Sequence, residues 1–144
     1  MKNTMLEMTR YAALARQAVA EGVVLLKNEA VLPLAPGGRA ALFGYAQFHY
    51  YKSGTGSGGL VNVTHVPNLP EILGGDGGYR LDAEVQARYA AWLADHPYEM
   101  GTGWAQEPWF QPEMPLDEEF VRAAAQRADT AFIVIGRTAG EDQD

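Results

Sequence analysis

Apolar residues recur with three- and four-residue spacing at Tyr11, Leu14, Ala15, Ala18, Val19, Gly22, Val23, Leu25 and Leu26, while Arg10, Arg16, Gln17 and Glu21 take the opposite side. That period predicts an amphipathic helix over residues 11–27 with one buried stripe. Gly22 inside it costs about 1 kcal/mol relative to alanine, which suggests close packing against a neighbouring backbone. Pro33 and the run Pro36-Gly37-Gly38 then break the chain into turns. Residues 39–44, Arg-Ala-Ala-Leu-Phe-Gly, read as a short buried strand. Residues 45–59, rich in aromatics and then in glycine, fit no regular element. Pro67 and Pro70 mark a further break, residues 69–73 predict one helical turn, and the glycine cluster at 74–78 predicts a flexible loop.

Leu81, Val85, Tyr89, Trp92 and Leu93 define a second amphipathic helix, with Asp82, Glu84 and Arg88 solvated and His96-Pro97 closing it. Residues 98–115 are irregular and contain Trp104, Trp109, Phe110 and three prolines. A loop of that length points to function or to packing on another domain. Asp117, Glu118 and Glu119 suit the positive first turn of a third helix, whose inner face carries Phe120, Val121, Ala124 and Ala128. Residues 130–135 follow as an unbroken apolar run. A strand apolar on both faces belongs in a sheet covered by helices on each side. The order of elements predicts an α/β layered (sandwich) domain with a largely parallel sheet between helices.

A chain of 144 residues is one domain at most, and the expectation is part of one. The net charge of −7 argues against nucleic acid or an anionic membrane as partner, since both need a basic face. The absence of cysteine excludes disulfides and thiolate metal sites and fits a reducing compartment. Residues 1–10 are polar and mixed and lead into no signal-peptide core, and no stretch approaches the ~18–20 apolar residues of a membrane span. A cytoplasmic protein is expected.

In open α/β sheets, ligands meet the loops at the carboxyl ends of strands. The loop after residue 135 places Glu141, Asp142 and Asp144 directly beyond a buried strand. Crowded, partly desolvated carboxylates have raised pKa values and can serve as general acids, whereas Arg137 would favour the ionised form. By itself the loop reads first as an ordinary solvated charged loop, and chemistry comes second. The loop after Gly44 contains Gly54-Thr-Gly-Ser-Gly-Gly59, which matches the dinucleotide fingerprint letter for letter. It lies ten residues past the strand and precedes no helix, so a backbone that lets another surface approach closely is the better reading. His49, His65 and His96 lack metal-ligand spacing, and Ser53 and Ser57 lack the nucleophile elbow. Trp104, Trp109 and Phe110, like Tyr45, Phe48, Tyr50 and Tyr51, suit either stacking on a sugar or plugging an interface. No cofactor and no metal is expected.

Four segments in order resemble glycoside hydrolase family 3. Glu21-Gly-Val-Val-Leu-Leu-Lys-Asn-Glu29 with Leu32-Pro-Leu34 resembles the entry to the family's α/β sandwich domain. Ala41-Leu-Phe-Gly44 is similar to its first strand, and Lys52-Ser-Gly-Thr-Gly-Ser-Gly58 to the glycine-rich loop after it. Phe132-Ile-Val-Ile-Gly-Arg-Thr-Ala-Gly-Glu141 resembles the strand and loop bearing the general acid/base.

The resemblance implies a retaining glycosidase of the β-glucosidase type, with Glu141 at the acid/base position, Asp144 at the following aspartate, and Arg137 and Asp144 supporting the loop or the substrate. Asp142 and Gln143 depart from the common glycine and tyrosine. The family's aspartate nucleophile sits in a Ser-Asp-Trp motif on a barrel domain, and that motif occurs nowhere in this sequence. Met1 lies almost directly before the sandwich signature, which is similar to the bacterial subgroup with reversed domain order, so a barrel is expected beyond residue 144. The implied partners are a β-glucoside or oligosaccharide substrate and the missing barrel. The 144 residues are expected to be the N-terminal part of the sandwich domain, inactive alone and prone to self-association. A non-catalytic sugar-binding or regulatory module, and a nucleotide-binding domain using residues 54–59, stay open as alternatives.

Overall fold

The computed structural model describes residues 7–50, 63, 65–102 and 108–136, which divide into two units, residues 1–34 and 35–144. In the first unit, α1 spans Met8–Gly22. It stops five residues before the predicted end because the backbone turns extended at Val23 (φ −76°, ψ 123°), where two consecutive β-branched valines lose side-chain freedom in a helix. No residue of α1 is buried, and a methyl group added at Gly22 would meet nothing within 4 Å. The expected buried stripe and close glycine contact are therefore not formed among the described residues. Beyond the helix, Asn28 organises a tight turn: its Oδ1 accepts from the N–H groups of Val31 and Leu32, both at 3.1 Å, and its Nδ2 donates to the Leu32 carbonyl at 2.6 Å.

The second unit is built on a three-stranded parallel sheet in the order β2-β1-β3, with β1 at Arg39–Phe43, β2 at Arg80–Leu81 and β3 at Thr130–Ile133. Helices α3 (Ala83–Asp95) and α4 (Glu118–Arg127) pack on β1, and α2 (Leu69–Gly74) lies against β2. Each begins at a residue whose side chain accepts from freed amide groups, which is what a helix N-terminus requires. Asn68 accepts from Glu71, Asp82 from Glu84 and Val85, and Asp117 from Phe120. Ala41 and Phe43, two apart on β1 and hence on one face, pack with Val85 and Tyr89 of α3, Phe120 and Ala124 of α4, and Met114. Burial of that kind stabilises by roughly 1.5–3 kcal/mol for each large apolar side chain. The predicted second and third helices, the buried strand at 39–44 and the turn of helix at 69–73 are all present.

Three expectations are corrected. The glycines after α2 are not a loose loop: Gly75, Gly77 and Tyr79 donate to the carbonyls of Glu71, Ile72 and Leu73 at 2.9 Å each, closing the helix and delivering the chain into β2. Asp82 is not solvated. Its side chain is 3% exposed and held by Arg127 at 2.7 Å, so burial, which would raise its pKa, is outweighed by that guanidinium and the two capped amides, which lower it. The run at 130–135 is not buried on both faces. Along β3, Ala131 and Ile133 are exposed while Thr130 and Phe132 are half-buried, with Ile133 at 73% and Ile135 at 86%. In register, Ala131 and Ile133 continue the face of Ala41 and Phe43, yet they stand exposed where Ala41 and Phe43 are buried.

From β1 the chain moves to β2 on one side, then crosses to β3 on the other. The loops leaving β1 and β3 thus flank the point where strand order reverses. That is where parallel α/β sheets bind ligands.

Candidate functional site

At the carboxyl end of β1 the backbone of Gly44 takes φ 100° and ψ 132°, a region open in practice to glycine alone. Space demands glycine as well: a Cβ here would stand 1.9 Å from the Val134 carbonyl oxygen. Backbone lies on backbone, and the Val134 N–H donates to the Phe43 carbonyl at 2.8 Å. A 3-10 turn, Tyr45–Gln47, follows. Gln47 is fully buried, and its amide donates to the carbonyls of Leu42 and Gly44 at 3.1 and 3.0 Å while accepting from Gln86. The turn is therefore pinned to the end of the strand.

A carboxylate from outside the regular elements completes the arrangement. Glu113 accepts the Tyr45 N–H at 2.7 Å on Oε2, and on Oε1 the Tyr89 hydroxyl at 3.2 Å and the Met114 N–H at 3.0 Å. The Tyr89 oxygen in turn accepts the Gly44 N–H at 2.7 Å. Burial pushes the Tyr89 phenol up to about 12; the Gly44 N–H opposes this, and the Glu113 charge and hydrogen bond add to it. The phenol is accordingly a protonated donor at ordinary pH.

Above the turn, the rings of Tyr45, His49 and Tyr98 stack within 19° of parallel, with His49 4.6 Å from Tyr98 and 5.6 Å from Tyr45. Partial burial lowers the His49 pKa, so the imidazole is neutral near pH 7. Tyr45, His49, Tyr98, Gln111 and Glu113, together with Gly136 beyond β3, line a cleft of about 30 Å³. That holds one or two waters and no sugar ring. Among the described residues this cluster braces the carboxyl end of β1.

Arg137, Glu141, Asp142 and Asp144 lie outside the described residues, as do Ser53, Ser57, Gly54 to Gly59, Tyr51 and Trp104. Gly136, the last described residue before them, lies at the carboxyl end of the sheet beside the Gly44 turn. The other histidines are engaged singly: His65 with Glu71 at 2.9 Å, and His96 stacked on Trp92 with centroids 3.5 Å apart. Tyr45 is buried and Phe48 packs on Tyr89, whereas Tyr50, Trp109 and Phe110 are exposed. Sequence reasoning missed Glu113, Tyr98 and Gln111. The one local signal was an acidic residue between Pro112 and Pro115, next to an apolar methionine.

Residues 23–144 match the family described as the glycosyl hydrolase family 3 C-terminal domain. The chain is 48% identical over 139 residues to a beta-glucosidase of Ruminococcus albus, covering 96% of this chain and 15% of that protein. It is 39% identical over 140 residues to beta-glucosidase A of Butyrivibrio fibrisolvens, covering 94% and 16%. Among solved structures, a beta-glucosidase from Paenibacillus barengoltzii superimposes with a TM-score of 0.84 at 44% identity, covering all of this chain and 16% of that one. Beta-glucosidase 3B from Thermotoga neapolitana in complex with glucose does so with a TM-score of 0.78 at 31% identity, covering 95% and 19%. The chain spans about a sixth of the length of the curated relatives it matches.

Proposed function

The chain belongs to the glycosyl hydrolase family 3 C-terminal domain family, and from that membership we propose that it supplies the acid/base half of a retaining β-glucosidase active site, with Glu141 as the proton donor and acceptor. The observation that carries the reading is the path of β3. Its carboxyl end leads through Gly136 at the point where strand order reverses, five residues before Glu141 in the motif that resembles the family's acid/base loop. Relatives named beta-glucosidase, one of them solved with glucose, support a β-glucoside as substrate. A barrel domain carrying the nucleophilic carboxylate is the implied partner, and the exposed apolar side chains of β3 favour self-association when it is absent. The lack of cysteine accords with a cytoplasmic setting.

In the first step the barrel's carboxylate bonds to the anomeric carbon while the glycosidic C–O bond breaks, and Glu141 gives its proton to the departing oxygen. In the second, Glu141 takes a proton from water as the water oxygen attacks that carbon and frees the carboxylate. Arg137 and Asp144 flank Glu141 in sequence and are assigned to supporting the loop or the substrate.

The test is Glu141→Gln in the two-domain enzyme. An unactivated disaccharide needs the proton and should slow by on the order of 10²–10⁴-fold. A dinitrophenyl glucoside leaves unaided, so its glycosyl-enzyme should still form and accumulate, and azide should restore turnover as the β-glycosyl azide. Equal slowing of both substrates with no azide rescue would remove Glu141 from this role and turn attention to Asp142 or Asp144. Retention needs two carboxylates roughly 5–5.5 Å apart. The 144 residues alone should therefore be inactive on a nitrophenyl glucoside.

A further inference from the structure

We infer that Glu113 and Tyr89 are positioning residues for the loop that leaves β3, fixing the Gly44 turn as the abutment on which the root of that loop rests. The inference builds on the reading of Glu141 as acid/base and adds the question of what holds that residue's loop in register.

The geometry runs through consecutive contacts. Two adjacent amides at the end of β1, those of Gly44 and Tyr45, are both held by this pair: one through the Tyr89 hydroxyl at 2.7 Å, the other directly by Glu113 at 2.7 Å. Gly44 then meets Val134 backbone to backbone, with room for no side chain between them, and the Val134 N–H is tied to Phe43. Such a contact transmits displacement, because closely packed backbone has nowhere to yield. Gly136, two residues on, shares its cleft with Glu113 and Tyr45.

The chemistry calls for a carboxylate at residue 113. Three donors converge on its two oxygens, and all three are satisfied only by a side chain that accepts on both. Glutamine presents an NH₂ group to at least one of those donors, so a hydrogen bond becomes a donor–donor clash and the side chain must rotate away. Tyr89→Phe keeps the buried ring and removes only the hydroxyl that links Gly44 to Glu113. A residue that merely stabilised the fold would, when changed, reduce every reaction of the enzyme alike. A residue that positions the acid/base loop affects the step that needs a well-placed proton.

The experiment compares Glu113→Gln, Tyr89→Phe and Glu141→Gln in the two-domain enzyme on an unactivated β-linked disaccharide and on dinitrophenyl β-glucoside. Both positioning variants should lower kcat on the disaccharide by about 10–100-fold, the range that small misplacement of a catalytic group produces. The KM for the disaccharide and the rate of glycosyl-enzyme formation from the dinitrophenyl substrate should stay close to those of the unaltered enzyme. Equal losses on both substrates, or no loss, overturn the inference. If Glu141→Gln itself fails to separate the two substrates, the acid/base reading is what has failed. The amide resonances of Val134, Ile135 and Gly136 in the ¹⁵N-labelled protein then test positioning by themselves: they should move in both variants, and unchanged resonances overturn it.

Discussion

Replacing Gly44 with alanine tests whether the ends of β1 and β3 are locked together. Two costs follow from the structure. A φ of 100° is strained for any L residue, by about 1–3 kcal/mol. The new Cβ would also stand 1.9 Å from the Val134 carbonyl oxygen, so one backbone must retreat by about 1 Å or more to reach ordinary contact. That retreat stretches the 2.8 Å bond from the Val134 N–H to the Phe43 carbonyl; losing it costs about 1 kcal/mol, or up to about 3 if a buried group is left unpaired. Together these give roughly 2–6 kcal/mol, toward the upper end of what single substitutions do and a large part of the 5–15 kcal/mol typical of a domain. Gly37 supplies the control, with φ 81° and open space around its would-be Cβ; Gly37→Ala should cost only the backbone part, about 1–2 kcal/mol. Urea and thermal denaturation followed by circular dichroism measure both, and with the second unit, residues 35–144, unfolding as one domain, the Gly44 variant should melt about 8 °C or more lower. A Gly44→Ala chain no less stable than Gly37→Ala, with unchanged m-value, would mean the contact relaxes freely and transmits nothing to β3.

Asp82→Ala removes the cap on α3 and one of two carboxylates holding Arg127, the other being Glu84 at 3.0 Å. It should destabilise by about 2 kcal/mol, and Asp82→Asn, which can still accept from the freed amides, by less; equal losses in urea titrations would show that the cap contributes little. Asp129 is held down to about 2 from an ordinary 3.8, chiefly by the Arg39 guanidinium and then by the Arg39 N–H. A carboxylate lowered on folding stabilises above its unfolded value and loses that effect as pH falls toward its folded one. The stability gap between the unaltered chain and Asp129→Asn should therefore be full above about pH 4 and close toward about pH 2; because the pair is solvent-exposed the gap is small, and one that does not change with pH would refute the assignment.

The parts of the fold legible in the sequence are those whose cause is local. The helices α3 and α4 announce themselves by apolar period, α4 also by its acidic start at residues 117–119, and both form where predicted. The strand at 39–44 is short and apolar because β1 lies between two others. By contrast β2 is two residues long and follows a glycine cluster, so it has no pattern of its own; pairing with β1 alone makes it a strand. Asp82 looks solvated from its place at a helix start, and is buried because Arg127 arrives from 45 residues away. Glu113 is the extreme case. Its partners Tyr89 and Tyr45 lie 24 and 68 residues off, and no periodicity or motif in one sequence encodes such a meeting. The candidate acid/base, Glu141, is visible through resemblance alone, since three carboxylates after a strand read first as a solvated loop.

The failure at β3 has a different origin. Its apolar run predicts burial on both faces, yet Ile133 and Ile135 stand open to solvent. Hydrophobic pattern records the burial a segment is selected for, whereas the described residues supply only the cover they contain. Where the two agree, as at Val85, Tyr89 and Phe120, the elements forming the core are all present in these residues. Where they disagree, the excess apolar surface is Ile133 at the end of β3 and Ile135 two residues beyond it, which the described elements leave open.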